Sequence, residues 1–192
     1  MEITPIPFSC NTEVVSQKAF NDHVKLYHGY VDKVNEITKK LAASPDLAAA
    51  NAVFSNYRGL KKGETFALNG VILHELYFRN LVSERSNIGP KTLKMLDRYF
   101  GSFDNWKNTF TASAKSARGW CITAFEQRTA TCRNIVLDSH DEGLVCGFYP
   151  LILLDMYEHA YFEDYAADKG AYIEKFIAGI PWSVIEKRVS RL

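Results

Sequence analysis

The stretch Pro150–Tyr165, P-L-I-L-L-D-M-Y-E-H-A-Y-F-E-D-Y, constrains this chain more than any other. Its apolar run Leu151–Leu154 has the length and residue types of a buried strand. The run stops on a carboxylate, Asp155, and His159 follows four residues later. An anion at the end of a buried strand is costly unless something positive meets it. If the chain turns into a helix after Asp155, carboxylate and imidazole can converge, and iron, manganese or zinc would suit that pair of donors. The plainer alternative makes Asp155 the N-cap of a helix whose His159 packs in the core. Local spacing leaves both open.

The 192 residues suffice for one large domain or two small ones sharing a core. With 47% hydrophobic and 23% charged residues, the balance is that of an ordinary folded protein, which excludes a disordered chain. A net charge of +1 gives no bulk field toward nucleic acid or membrane, so neither is expected as a partner. No apolar run approaches bilayer length, and the opening M-E-I-T-P-I-P-F-S-C lacks the order of a signal peptide. Cys10, Cys121, Cys132 and Cys146 form no C-x-x-C pair, so free thiols in a reducing cytoplasm are expected.

In chain order, Met1–Val15 reads as an irregular arm, with Pro5 and Pro7 preventing regular structure. Ser16 is placed to cap a helix reaching about Leu41, whose inner face includes Phe20, His23, Tyr27, Tyr30, Val31 and Val34; Gly29 marks an expected bend. After the break at S-P-D, a short helix is expected over Asp46–Tyr57. A loop through Gly59 and Lys61-Lys62-Gly63 then leads to a second long helix over Glu64–Leu81. These two long helices form an antiparallel hairpin. The polar stretch from Ser83 to Pro90 is the best boundary, giving a helical hairpin domain at 1–87 and a C-terminal α/β domain at 88–192. Helices over Lys91–Phe100 and Ser102–Ala117 precede strands at 120–125, 134–138 and 148–154. Helices over 157–167, 171–178 and 183–191 finish the chain. The fold class is α+β, a hairpin packed on a small three-stranded antiparallel sheet surrounded by helices.

Five histidines occur: His23, His28, His74, His140 and His159. His23 and His74 each lie on an inner helix face, where a lone histidine is ordinarily a packing residue. As a set, however, two antiparallel helices can offer one imidazole each, while Asp155 and His159 approach from the sheet. Three imidazoles and a carboxylate suit iron or manganese.

At this point the chain resembles the iron/manganese superoxide dismutase family along nearly its whole length. D-M-Y-E-H-A-Y-F is similar to that family's D-x-W-E-H-A-Y-Y, with tyrosine for tryptophan. F-G-S-F-D-N-W-K-N-T-F, the G-W after Ala117-Arg118, H-G-Y-V-D-K-V-N, H-E-L-Y-F-R-N-L and P-W-S-V-I-E-K-R resemble further family segments in the same order. The resemblance implies disproportionation of superoxide to oxygen and hydrogen peroxide at one iron or manganese ion per subunit, with iron favoured. It puts His23, His74, Asp155 and His159 on the metal-ligand positions and Tyr30 on the gateway tyrosine. His140 falls where a residue bonds the solvent on the metal, since Gly70 occupies the alternative position. A neutral imidazole there can donate or accept according to its tautomer. Glu158 and Tyr161 fall on the interface of a homodimer or higher homo-oligomer, and Arg188 on a channel rim.

The chain departs from the family pattern in several places. The interval from His23 to Tyr30 is one residue shorter, which puts Leu26 and Tyr27 near an interior histidine pair. Phe78, Ile122 and Tyr157 replace cavity tryptophans, and Leu73 replaces an asparagine. Two other readings follow. His74, Asp155 and His159 alone would make the open two-histidine, one-carboxylate site of a mononuclear iron oxygenase. The altered cavity would also suit a non-catalytic or weakly active relative that keeps its metal.

Overall fold

The computed structural model describes residues 2–43, 45–81 and 84–192. Met1 of the arm, Ser44 of the S-P-D break and Ser83 at the head of the boundary lie outside the described residues, as does Val82. Helix α1 spans Gln17–Ala42, and Ser16 caps it by accepting a hydrogen bond from Ala19 N. It runs unbroken through Gly29, which is exposed to solvent.

Helix α2 spans Asn56–Leu81, eight residues longer at its start than expected, and the short helix at 46–57 does not form. Ser55 begins α2 instead, its hydroxyl accepting from Arg58 N. The alanines of this region favour a helix. Asn51 overrides them, because its side chain takes the amides of Val53 and Phe54 that a helix would have used. Gly63 lies where a Cβ would stand 3.2 Å from Ile37, and Gly70 where one would stand 2.9 Å from the Tyr30 ring. With His23 against Phe78 further along, partner numbers on α2 fall as those on α1 rise, and the pair is antiparallel.

The rest of the chain builds a sheet flanked by helices. Helix α3 (Pro90–Phe100) ends on Gly101, whose φ of 83° closes the last turn, and α4 (Phe103–Ser116) follows immediately. Strands β1 (Trp120–Glu126), β2 (Thr131–Leu137) and β3 (Phe148–Asp155) form an antiparallel sheet in the order β2-β1-β3. The register of β1 against β3 shifts between Thr123 and Ala124, opposite Ile152 and Pro150. Pro150 has no amide to give, and the edge strand tolerates it. Helices α5 (Glu158–Tyr165), α6 (Lys169–Gly179) and α7 (Trp182–Val189) close the fold. Beta strand β3 and helix α2 meet through a core that includes Leu73, Tyr77, Phe78, Trp120 and Leu151–Leu154, all buried.

Arg188 was expected at a channel rim but lies inside, 7% exposed. Its guanidinium donates to Leu151 O at 2.6 Å, Asn80 Oδ1 at 2.8 Å and Leu76 O at 3.0 Å, while Asn80 donates to Leu153 O at 2.8 Å. Edge-strand carbonyls need partners, and this pair supplies them, tying α7, α2 and β3 together. Burial pulls the guanidinium down to about 10, so it remains a cation at neutral pH.

Helix α3 has glycine at its N-cap and no capping side chain of its own. Glu186 of α7 supplies the cap, accepting from Lys91 N at 3.0 Å, Thr92 N at 2.8 Å and Thr92 Oγ1 at 2.7 Å. A Cβ at residue 89 would stand 2.4 Å from the Glu186 carboxyl carbon, so Gly89 makes room for the cap. Burial alone would raise the Glu186 carboxyl, but the bonds from Thr92 and Lys91 outweigh it and hold it below its ordinary 4.5. A depressed carboxyl stabilises in full above its unfolded value, and the contribution is lost as pH falls through the folded one. Glu186→Ala is therefore expected to cost about 1–2 kcal/mol in urea unfolding at neutral pH. The difference from wild type should shrink well below pH 4.5; a pH-independent difference would argue against the cap.

Candidate metal centre

Four donors converge where the hairpin meets the sheet. His23 comes from α1, His74 from α2, Asp155 from the last position of β3 and His159 from the first turn of α5. One ligand atom from each lies within 4.8 Å of all the others. Asp155 Oδ2 is 3.3 Å from His23 Nε2, 3.4 Å from His159 Nε2 and 3.7 Å from His74 Nε2. His74 and Asp155 are fully buried, and His23 is 5% exposed.

The protonation of the site follows from its neighbours. His74 Nδ1 lies 2.6 Å from Gly70 O, which can only accept, so Nδ1 carries the hydrogen and Nε2 turns a lone pair inward. Burial drives His74 down to about 3 and also lowers His23, so both rings are neutral at pH 7. Burial opposes ionisation of Asp155, but His159 and His23 hold its carboxyl well below the usual range. His23 Nε2, His74 Nε2 and Asp155 Oδ2 are buried polar atoms with no hydrogen-bond partner among the described residues. Such atoms cost free energy unless a shared partner meets them. Lone pairs and an anion aimed at one point fit a cation, and this donor set suits iron or manganese.

Asp155 also serves the turn. Its Oδ1 accepts from Tyr157 N at 2.9 Å, so one oxygen orders the entry to α5 while the other faces the imidazoles. The helix N-cap is Tyr157 and not Asp155, so the plainer alternative of a capping aspartate with a core histidine is not what forms. His159 is no core residue: its side chain is 30% exposed, with Tyr157 stacked on it at 5.3 Å.

Tyr30 and His140 meet beside the cluster. His140 Nε2 is 2.8 Å from the Tyr30 hydroxyl, and the Tyr30 ring lies 5.3 Å from His74. Trp120 is the partner that sequence reasoning missed. Its indole N–H, which can only donate, reaches His140 Nδ1 at 2.9 Å. That fixes Nδ1 as an acceptor and leaves Nε2 to carry the hydrogen in the neutral ring. The tautomeric freedom expected for His140 is thereby removed. Burial lowers His140 to about 4 and raises Tyr30, so both are neutral at pH 7. His140 therefore donates to the Tyr30 oxygen, and the Tyr30 hydrogen is free to point elsewhere. Asn69 holds the segment by donating to His140 O at 2.9 Å, and Phe66 covers the ring at 4.6 Å. In the sequence Trp120 reads only as the first residue of a strand, because the indole's target lies twenty residues away.

Glu158 is exposed on the first turn of α5. Tyr161, expected beside it at an interface, is 2% exposed and stacks on Tyr172 at 5.4 Å, so it offers little surface to a partner. His28 is exposed, Tyr27 is fully buried, and the Tyr27 hydroxyl accepts from Ile6 N and lies 2.9 Å from Glu75 Oε1. Phe78 and Ile122 are fully buried.

Residues 88–188 match the family model described as iron/manganese superoxide dismutases, C-terminal domain. An iron superoxide dismutase of Aquifex pyrophilus is 37% identical over 185 residues, covering 94% of this chain and 87% of the relative. An iron superoxide dismutase of Cupriavidus metallidurans is 33% identical over 92% of this chain and 90% of its own length. A manganese superoxide dismutase of Halobacterium salinarum is 29% identical over 94% of this chain and 90% of its own length.

A cation held by four groups from four elements should stabilise the fold, by about 2.7 kcal/mol at a hundredfold excess over its dissociation constant. Adding ferrous or manganous ion to metal-free protein is expected to raise the melting temperature, and Asp155→Asn to abolish the rise. An equal rise in that variant would count against the cluster.

Proposed function

The chain belongs to the iron/manganese superoxide dismutase family, and from that footing we propose how its own residues carry the reaction. The protein is a superoxide dismutase: two superoxide anions and two protons become dioxygen and hydrogen peroxide at an iron or manganese centre. We assign His23, His74, Asp155 and His159 as the metal ligands. The three orphaned buried atoms aimed at one another carry that assignment. His23 Nε2 lies closer to Asp155 Oδ2 than His74 Nε2 does, which favours three imidazoles over the two of an oxygenase site. Bound there, the metal supplies the one-electron redox couple that the reaction needs.

Tyr30 is the proton donor of this proposal. Its oxygen is occupied by His140 Nε2–H, so its own hydrogen is free to be given toward the cavity. Donation from the His140 N–H to the Tyr30 oxygen works against the rise that burial and the Asp155 charge impose on this phenol. His140 is a positioning residue that acts through Tyr30, and Trp120 acts through His140. Iron is the favoured metal. The hairpin at 1–87 and the sheet unit at 88–192 are two domains on this reading, with the site on their boundary. The cytoplasm is the proposed compartment, supported by four free cysteines, with burial pushing the Cys132 thiol up to about 12.

His140→Gln is expected to retain metal, because His140 lies outside the cluster, while changing the ratio of activity with iron to activity with manganese. Tyr30→Phe should keep metal and lower turnover by roughly tenfold or more, as loss of a positioned proton donor does. Superoxide consumption by protein reconstituted with each metal measures both. Loss of metal from His140→Gln, or an unchanged ratio, would sink the assignment of His140.

A homodimer is also proposed, across the surface carrying Glu158 and the exposed edge of His159. Phe162 supports it, being 55% exposed on the same helix. A carboxylate from a partner copy can accept the free N–H of a ligand imidazole, which orients the ring and raises its basicity. Glu158→Ala should then loosen dimer and metal together in light scattering and metal analysis. A monomer with metal fully bound would dispose of this interface.

A further inference from the structure

A cavity of about 260 Å³ lies where α2, β3 and the end of α7 meet. Part of its wall is apolar, from Leu76, Tyr149 and Val184, and the rest is basic, from Arg79, Lys187, Arg188 and Arg191. No acid belongs to the wall.

Cations near helix C-termini have an ordinary role, because they offset the partial negative charge there. Arg79 stands in the last turn of α2, and Lys187 and Arg188 in that of α7. Two helix ends supply about one negative charge between them. Lys187, Arg188 and Arg191 exceed it even with Arg79 left out of the count.

The acids on these elements are committed elsewhere. They are Glu64 and Glu75 on α2, Asp155 on β3 and Glu186 on α7. Glu64 pairs with Lys61, and Glu75 meets the Tyr27 hydroxyl at 2.9 Å. Asp155 faces the imidazoles, and Glu186 caps α3. Among the described residues, the Lys187 and Arg191 side chains have neither an ion pair nor a hydrogen bond.

Arg188 makes this more than a patch of surface charge. It is 7% exposed, and its bonds to Leu151 O, Asn80 Oδ1 and Leu76 O use three of its five N–H groups. Two donors on a nearly buried cation therefore remain for a ligand. Burial lowers this guanidinium, Tyr149 opposes the fall, and the charges of Arg79 and Arg191 add to it. The basic groups thus stand close enough to repel one another, and an anion among them relieves that repulsion.

The form of the wall selects the anion. A phosphate monoester carries a charge of about −1.5 to −2 on one group, with three acceptor oxygens for donors arriving from several sides. A carboxylate offers one charge and two oxygens. The volume falls just under the usual range for small-molecule sites, roughly 300–1,000 Å³, which suits a small metabolite. We propose that this cavity binds a small phosphate monoester, its dianion held by Lys187, Arg188 and Arg191 and its carbon body resting on Leu76, Tyr149 and Val184.

The test is calorimetric titration of the full metal-loaded protein with AMP, inorganic phosphate and adenosine. Chloride at about 0.15 M keeps the screening length near 8 Å and suppresses diffuse attraction. AMP is expected to bind, inorganic phosphate to bind about tenfold or more weakly for want of a body to bury, and adenosine to give no heat. Lys187→Glu with Arg191→Glu should lower the affinity for AMP by about tenfold or more. Both residues are exposed, and Tyr149 lies about 20 Å along β3 from Asp155, so melting temperature and dismutase activity should hold. Absence of AMP binding, binding that ignores the double substitution, or adenosine binding as well as AMP would overturn the proposal. Equal affinity for AMP and inorganic phosphate would overturn the assignment to an ester. So would a double variant whose only change is a salt-sensitive loss of dismutase activity, since the cations would then be steering superoxide.

Discussion

The structure depends on one buried anion. Asp155 is fully enclosed and ionised, with the Nε2 atoms of His23, His159 and His74 at 3.3, 3.4 and 3.7 Å from its Oδ2. A carboxylate in that setting needs positive charge at hand, whether from protons on the rings or from a metal. Burial discourages the protons on His23 and His74, which leaves the metal as the natural counterion. The hairpin and the sheet therefore meet around a charge that neither could keep alone.

The surroundings of Asp155 hold it from the other side. Tyr172 donates to Asp155 O at 3.0 Å, and the Tyr172 and Tyr77 hydroxyls lie 2.8 Å apart, all buried. Burial raises both phenols, so they remain neutral hydrogen-bonding groups. Helices α2 and α6 thus grip the end of β3 through its main chain, leaving the carboxylate's outer oxygen for the centre. The same division of labour recurs at Arg188, which binds main-chain oxygens of α2 and β3 and fixes where β3 runs.

Much of this was readable in the sequence because the donors are rare residues at informative spacings. Five histidines and one apolar run ending on a carboxylate leave few ways to assemble a cluster, and helical periodicity put His23 and His74 on inner faces. What could not be read was set by contacts between distant segments. Trp120 decides the tautomer of His140, and Asn80 with the edge of β3 draws Arg188 inward. The connection between α1 and α2 was misread for a local reason: alanine content suggested a helix, while one asparagine side chain redirected the backbone. Gly63, read as loop, is a contact point for Ile37.

The order in which the four groups occur along the chain bears on how the protein is made. His23 and His74 leave the ribosome early, in a hairpin whose two helices touch each other across 26 to 55 residues of chain, from Ile37 with Gly63 to His23 with Phe78. Asp155 and His159 follow only when most of the chain has been built. A nascent hairpin offers two neutral imidazoles and no anion, a weak and unselective trap for any passing cation. The carboxylate arrives with β3, and the four groups can meet only when the sheet has closed against the helices. On the proposed ligand set, a full complement of donors exists only in a chain that has been built nearly to its end and closed around β3.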